Sequence, residues 1–266
     1  MRIYKRIIRV VIGEADGSAI SIESLYIQIE VKKVLSEKPT EGEVRIYNLA
    51  ASTEDRIREK GVRVRVFAGY DNQPVLIHDG EIRRVSRDRT NVDRITTISI
   101  GGKMIKLSQA IFNKSYSGQI QVKQIVKDSI PTFNIDAVNI DEIPDDAFLY
   151  DFSFTGKTGV LLDKILTPIK VQWYENDNFI KFSLRGKALD PVVLLTKNTG
   201  LIGSASITEK GIKFKSVLNG RITLGDRVKI KSDLVNGVYK VIQTLHKGDN
   251  REGDFITEGV GVEFEQ

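Results

Sequence analysis

The feature that most constrains this chain is an alternation of period two, repeated at both of its ends. Leu25, Ile27, Ile29 and Val31 alternate with Tyr26, Gln28 and Glu30. Val44 and Ile46 alternate with Glu43, Arg45 and Tyr47, and Val62, Val64, Val66 and Ala68 with Arg63, Arg65 and Phe67. Successive side chains of a strand point to opposite faces, so each run reads as a strand with one face buried. Stretches rich in Gly, Pro, Asp and Asn separate the runs: residues 13–17, 38–42 and 70–74. One helix interrupts them, with Ser52 as the expected cap, Glu54 and Asp55 suiting its positive end, and Gly61 as the stop.

The period changes near residue 103. Residues 103–112 and 120–130 are expected to be helical; Val122, Ile125, Val126 and Ile130 share a face, and Pro131 blocks continuation. An acidic loop, Asp141 to Asp146, is followed by a strand at 152–154 and a helix over 158–166. Residues 170–174 and 179–184 are expected to form a hairpin. From about residue 190 alternation returns in Ile212 and Phe214 and in Val228 and Ile230, with Val260, Val262 and Phe264 as a last strand. Asn236-Gly237 has the composition of a two-residue hairpin turn. The expected fold class is mainly β with an α+β insertion. Two β-barrel domains, 1–105 and 190–266, are expected to flank a small α+β domain, 106–189.

Composition narrows the chemistry. Without cysteine there is no disulfide framework and no thiolate nucleophile or ligand. Residues 1–9 carry basic side chains but no apolar stretch of signal-peptide length, and nowhere do about 18 apolar residues run together. The expectation is a protein with no membrane anchor, kept in a cytoplasm-like compartment or built into a particle there. Residues 1–110 hold 20 Lys and Arg against 15 Asp and Glu, a balance of +5 that equals the net charge of the whole chain. This is either a polyanion-binding surface or a set of strand faces that need charge for solubility.

Motifs for catalysis are thin. Phe154-Thr155-Gly156-Lys157-Thr158 stands where a phosphate loop would, but the glycine needed five residues before Gly156 is Asp151. His78 and His246 have no metal spacing; the first is expected to end a hairpin arm and the second to lie in a loop. No serine sits in a G-x-S-x-G elbow. The acids of 141–146 lack an apolar setting to raise a pKa. Trp173, Phe152 and Phe154 read as core. No cofactor, metal or catalytic residue is expected. Arg83, Arg84, Arg87, Arg89 and Arg94 flank a turn near Thr90-Asn91-Val92 and suit either phosphates or the acids of a partner subunit.

Two sets of short stretches run through both β-rich parts. The first is Tyr47-Asn48-Leu49, Ser52-Thr53, Gly61, Ala68-Gly69-Tyr70 and Gly80-Glu81-Ile82. The second is Asn198-Thr199-Gly200-Leu201-Ile202-Gly203, Thr208-Glu209-Lys210-Gly211, Val217-Leu218-Asn219 and Leu224-Gly225-Asp226. In this order they resemble the baseplate hub proteins of contractile phage tails and the matching part of type VI secretion spikes. The resemblance implies a non-enzymatic homotrimer whose six tail-tube-like barrels adapt a six-fold tail tube to a three-fold central spike. It implies as partners the tail tube or a distal tail protein, the spike and a tape measure protein, with DNA met only in passage through the channel. The implied location is the virion's tail baseplate, assembled in the host cytoplasm. Subunit-interface charges are then expected at Arg63, Arg65, Arg83, Arg84 and Arg87. A nucleic-acid-binding barrel protein and a tail-associated cell-wall hydrolase are the alternatives.

Overall fold

A computed structural model of the chain describes residues 5–13, 18–35, 40–57, 62–71, 73–90, 92–102, 109–177 and 179–264. It is mainly β. The first seven strands are β1 (Arg6–Gly13), β2 (Ala19–Ile22), β3 (Ile27–Val34), β4 (Glu41–Tyr47), β5 (Arg63–Tyr70), β6 (Val75–Thr90) and β7 (Asp93–Gly101). They pair antiparallel in the order β2-β1-β5-β6-β7-β4-β3. Their inward residues, among them Ile8, Ile27, Val31, Val44, Val64 and Ile98, make one apolar core, as the alternation requires.

The middle of the chain has its own core around Phe112, Ile125, Leu161 and Phe182. Strand β8 (Ile111–Ser115) pairs with β12 (Ser153–Lys157), and β9 (Gln119–Gln121) with β11 (Phe148–Tyr150). The hairpin of β13 (Val171–Asn176) and β14 (Phe179–Leu184) takes β10 (Asp136–Val138) as a parallel neighbour. Helices Val122–Ser129 and Thr158–Leu166 cover these pairs, the second ending at the residue the pattern gave.

The last part adds β15 (Leu189–Leu195), β16 (Ser206–Thr208), β17 (Gly211–Val217), β18 (Asp226–Lys231), β19 (Asn236–Asp249) and β20 (Phe255–Val262). Strand β19 joins the two ends of the chain. Asn236 to Lys240 pair with β18, then a bulge follows Val241, and Gln243 to Asp249 pair with β3. The result is one sheet of thirteen strands running through both β regions. Leu218 and Phe255 enter the first core accordingly.

Several local expectations are corrected. Of the helix expected over 103–112, residues 103–108 lie outside the described residues, while Ile111 and Phe112 belong to β8; Phe112 pairs with Gly156, so a ladder overrides local helical pattern. Ile120 is likewise in β9, and Ile130 opens a 3-10 turn with Pro131 in it. Helix Ala51–Arg56 begins before Ser52 and has Ala50 at its cap without a side-chain bond; Gly61 lies outside the described residues. Asn236 and Gly237 are not a turn. They pair with Lys231 and Ile230, and residues 232–235 reverse the chain, held by the Ser232 amide donating to the Val235 carbonyl at 2.9 Å. His78 and His246 are not at strand ends: both sit inside long strands, β6 and β19.

Candidate functional site

Polar groups concentrate where the β13–β14 hairpin meets the first β region. Lys33 follows Ile27, Ile29 and Val31 on the inward phase of β3 and is 2% exposed. Its Nζ lies 2.5 Å from Oδ1 of Asp177, at the tip of that hairpin. Asp177 reaches this place with φ of 50°, a left-handed conformation that aspartate tolerates better than most residues. The Asp79 amide donates to the same Oδ1 at 3.3 Å, and His78 Nδ1 stands 3.8 Å away. Burial is the largest single influence on the Asp177 carboxyl and pushes it up, but the charge and hydrogen bond of Lys33, the neighbouring His78 and the Asp79 amide together outweigh it and the net shift is downward. The carboxylate is therefore held charged.

The histidines beside this pair are held neutral. Burial, reinforced by Lys33, pushes His78 down to about 4 and His246 down to about 3. His246 Nδ1 shares a 2.9 Å bond with the Thr257 hydroxyl. The hairpin also reaches the C-terminal β region. Tyr174 donates to the Leu224 carbonyl at 3.2 Å, and Lys240 Nζ donates to Ser183 Oγ at 3.3 Å. Burial lowers Lys240 to about 8, against the pull of Glu142. At Gly102 an added Cβ would meet the Glu175 carboxylate, so a larger residue there would push that side chain aside. Arg83 donates to the Gly102 carbonyl. What this arrangement does is clamp the middle of the chain to both β regions.

The arginines form a second, outward-facing set. The β6–β7 hairpin is present, with β6 ending at Thr90 and β7 beginning at Asp93. Arg63 makes a two-pronged pair with Asp79, at 2.8 and 2.5 Å. Arg87 bonds Glu54 at 2.7 Å and Asp55 at 2.9 Å, and Thr96 donates to the same buried Glu54. Arg94 donates to the Leu49 carbonyl at 3.1 Å. Arg65, Arg84 and Arg89 are exposed and have no side-chain partner among the described residues. Strand pairing lines Arg84 up with Ser99, Glu43 and Glu30 on one outer face.

The remaining motifs are occupied by the fold. The Thr158 amide donates to the Ala110 carbonyl at 2.9 Å, Gly156 sits in the β8–β12 ladder, and Asp151 accepts from the Gly118 amide, which leaves no phosphate cradle there. In the acidic loop Asp145 pairs with Lys123 at 2.5 Å. Trp173 is half-buried, donates to Asp163 at 2.8 Å and stacks on Phe133. Among the described residues no three His, Asp or Glu converge as metal ligands, and no helix is long and apolar enough to cross a membrane. The clamp through Lys33 and Asp177 was not anticipated from sequence. Its one signal is a lysine on the buried phase of an alternating strand, which demands a buried partner.

No curated protein sequence matches the chain. Among solved structures it resembles the tail protein from Neisseria meningitidis MC58, with a TM-score of 0.65 at 11% identity over 98% of this chain and 97% of that one. It also resembles the 43 kDa tail protein of prophage MuSo2 from Shewanella oneidensis, with a TM-score of 0.62 at 11% identity over 97% and 98%. The E. coli c3393 protein, a component of the type VI secretion system, follows with a TM-score of 0.57 at 11% identity over 91% and 74%. These likenesses establish a shared fold. The family model described as baseplate hub gp41 matches residues 7–261, nearly the whole sequence. The chain belongs to the baseplate hub gp41 family.

Proposed function

We propose that this protein is the structural hub at the tip of a contractile phage-type tail. The observation that carries the reading is the family match across residues 7–261, and the tail-protein fold over nearly the full length supports it. In this reading three copies close into a ring. Residues 1–105 and 190–266 supply one tube-like barrel each, with 106–189 as the insertion between them, so the three copies bring six barrels to the ring. The ring adapts the six-fold tail tube, or a distal tail protein, to a three-fold central spike. The tape measure protein and DNA pass through its channel, in a virion assembled in the host cytoplasm.

The protein's role here is to hold parts together rather than to turn over substrate. That agrees with two histidines held neutral inside strands and with charge pairs that clamp the fold. Of the five arginines expected at a subunit interface, Arg63, Arg83 and Arg87 already have partners within the chain, so Arg65 and Arg84 are the ones we assign to neighbouring acids. Such contacts give register and specificity more than affinity. Sedimentation or native mass measurement of the purified protein tests the reading. Three copies per particle are expected; a strict monomer across micromolar concentrations, with or without the spike protein, overturns it.

A further inference from the structure

Two exposed faces of the chain have complementary chemistry. Strand β15 pairs only with β18 among the described residues, so it stands at a sheet edge. Its Val192 and Leu194 point outward and are 44% and 43% exposed. They lie beside Arg227 and Lys229 in the ladder, with Lys231 next along the same outer phase. Lys229 and Lys231 are exposed and form no ion pair among the described residues. This is an apolar strip with a basic margin.

The middle of the chain shows the converse. Strand β11 pairs only with β9 among the described residues and presents Phe148 and Tyr150, 41% and 68% exposed, on one side. Asp146 comes just before them, exposed and without an ion pair among the described residues. This is an apolar strip with an acidic margin. Isolated exposed apolar residues are ordinary, but paired ones at a sheet edge beside unpartnered charge mark a contact surface.

We propose that these faces dock on one another between copies of this chain: the Val192–Leu194 strip of one receives the Phe148–Tyr150 strip of the next, with Asp146 set against Lys229 and Lys231. The occupant is a second copy because the chain itself carries the matching face, opposite in charge and alike in apolar width. The two faces differ, so the contact is head-to-tail, and repeated it closes a ring when the rotation allows. This rests on the hub reading above and supplies the contact that reading lacks. Apolar side chains at the centre exclude water, while the charges at the rim set register and the rate of encounter.

The test is assembly of the full chain against concentration, followed by sedimentation. In Lys229→Glu with Lys231→Glu, half-assembly is expected to need roughly tenfold more protein, since like charges then face Asp146 across the contact. Adding Asp146→Lys to the same chain is expected to restore most of that loss. All three positions are exposed, so the circular dichroism and melting of the monomeric form, measured below the assembly concentration, should be unchanged. Salt gives a readout that needs no variant: assembly of the unaltered protein weakens as ionic strength rises from about 0.05 to about 0.5 M. A trimer indifferent to charge reversal and to salt, or one that the Asp146→Lys change does not rescue, overturns this contact and leaves the hub reading standing. An unaltered protein that stays monomeric sinks both.

Discussion

Lys33 and Arg65 are both cations on strands of the same sheet, and their fates are opposite. Lys33 occupies the inward phase of β3 and is 2% exposed, paired with a carboxylate that arrives from 144 residues away. Arg65 occupies the outward phase of β5, faces water, and has no side-chain partner among the described residues. The strand alternation alone separates them. A charge on the buried phase must find a partner within the fold and so becomes a clamp; a charge on the outer phase remains available to another molecule.

The hardest way to break this contrast is to remove the clamp's acid. Asp177→Asn keeps the shape of the side chain and its tolerance of the left-handed backbone, but leaves Lys33 buried without a counter-charge. Removing one member of a buried pair typically costs about 3–5 kcal/mol. Chemical denaturation is expected to show a loss of that order. A loss below about 1 kcal/mol would mean that Lys33 escapes to water and that the seam holds nothing. Removing the buried charge as well, as Lys33→Met with Asp177→Asn, is expected to recover part of the loss while keeping the side chain that tolerates the left-handed backbone.

Per pH unit, acid gives the next largest effect. In the folded protein His78 titrates at about 4 and His246 at about 3, against an ordinary value of about 6.5 when unfolded. Below about pH 6.5 the unfolded chain therefore binds protons that the folded chain refuses. Stability is full above that pH and falls as pH drops toward 4, by up to about 1.4 kcal/mol per pH unit for each imidazole. Asp177, whose carboxyl is held below its ordinary value, adds a loss of the same sign at still lower pH. His78 meets Lys33, Asp79 and Asp177, so His78→Gln should flatten the pH 6.5–4 slope by about half. Denaturation midpoints at several pH values measure this; a flat profile across the window would show that both imidazoles reach solvent.

How far these features are legible in the sequence follows from how local each one is. The alternation of Ile27, Ile29 and Val31 or of Val64 and Val66 depends on the face each residue takes, and it appears as strands. Helix Thr158–Leu166 and the β13–β14 hairpin are likewise encoded within a few residues of themselves. What the sequence conceals depends on distant partners. His246 sits beside Lys247-Gly248-Asp249, which looks like a loop, yet that stretch is the closing end of strand β19, held between β3 and β20. Asn236-Gly237 has turn chemistry, but Ser232 and Val235 close the reversal first and leave the pair to the ladder. Asp177 reads as one more acid in a hairpin turn, because Lys33 is 144 positions away.

The smallest expected effect sharpens the contrast from the other side. Arg65→Ala and Arg84→Ala remove exposed cations that touch no partner among the described residues, and surface changes of this kind usually alter stability by less than about 0.5 kcal/mol. Denaturation of the monomeric form should therefore barely distinguish them from the unaltered protein. Their effect belongs to assembly. If they meet acids of a neighbouring copy, the loss appears mainly as slower and more salt-dependent association, since rim charges act chiefly on encounter. The two measurements have to be made on the same preparations. A stability loss above about 1 kcal/mol would show that these arginines act inside the chain as Lys33 does. Unchanged stability with unchanged association kinetics would remove both from the interface, and the outward phase of β5 and β6 would then serve solubility alone.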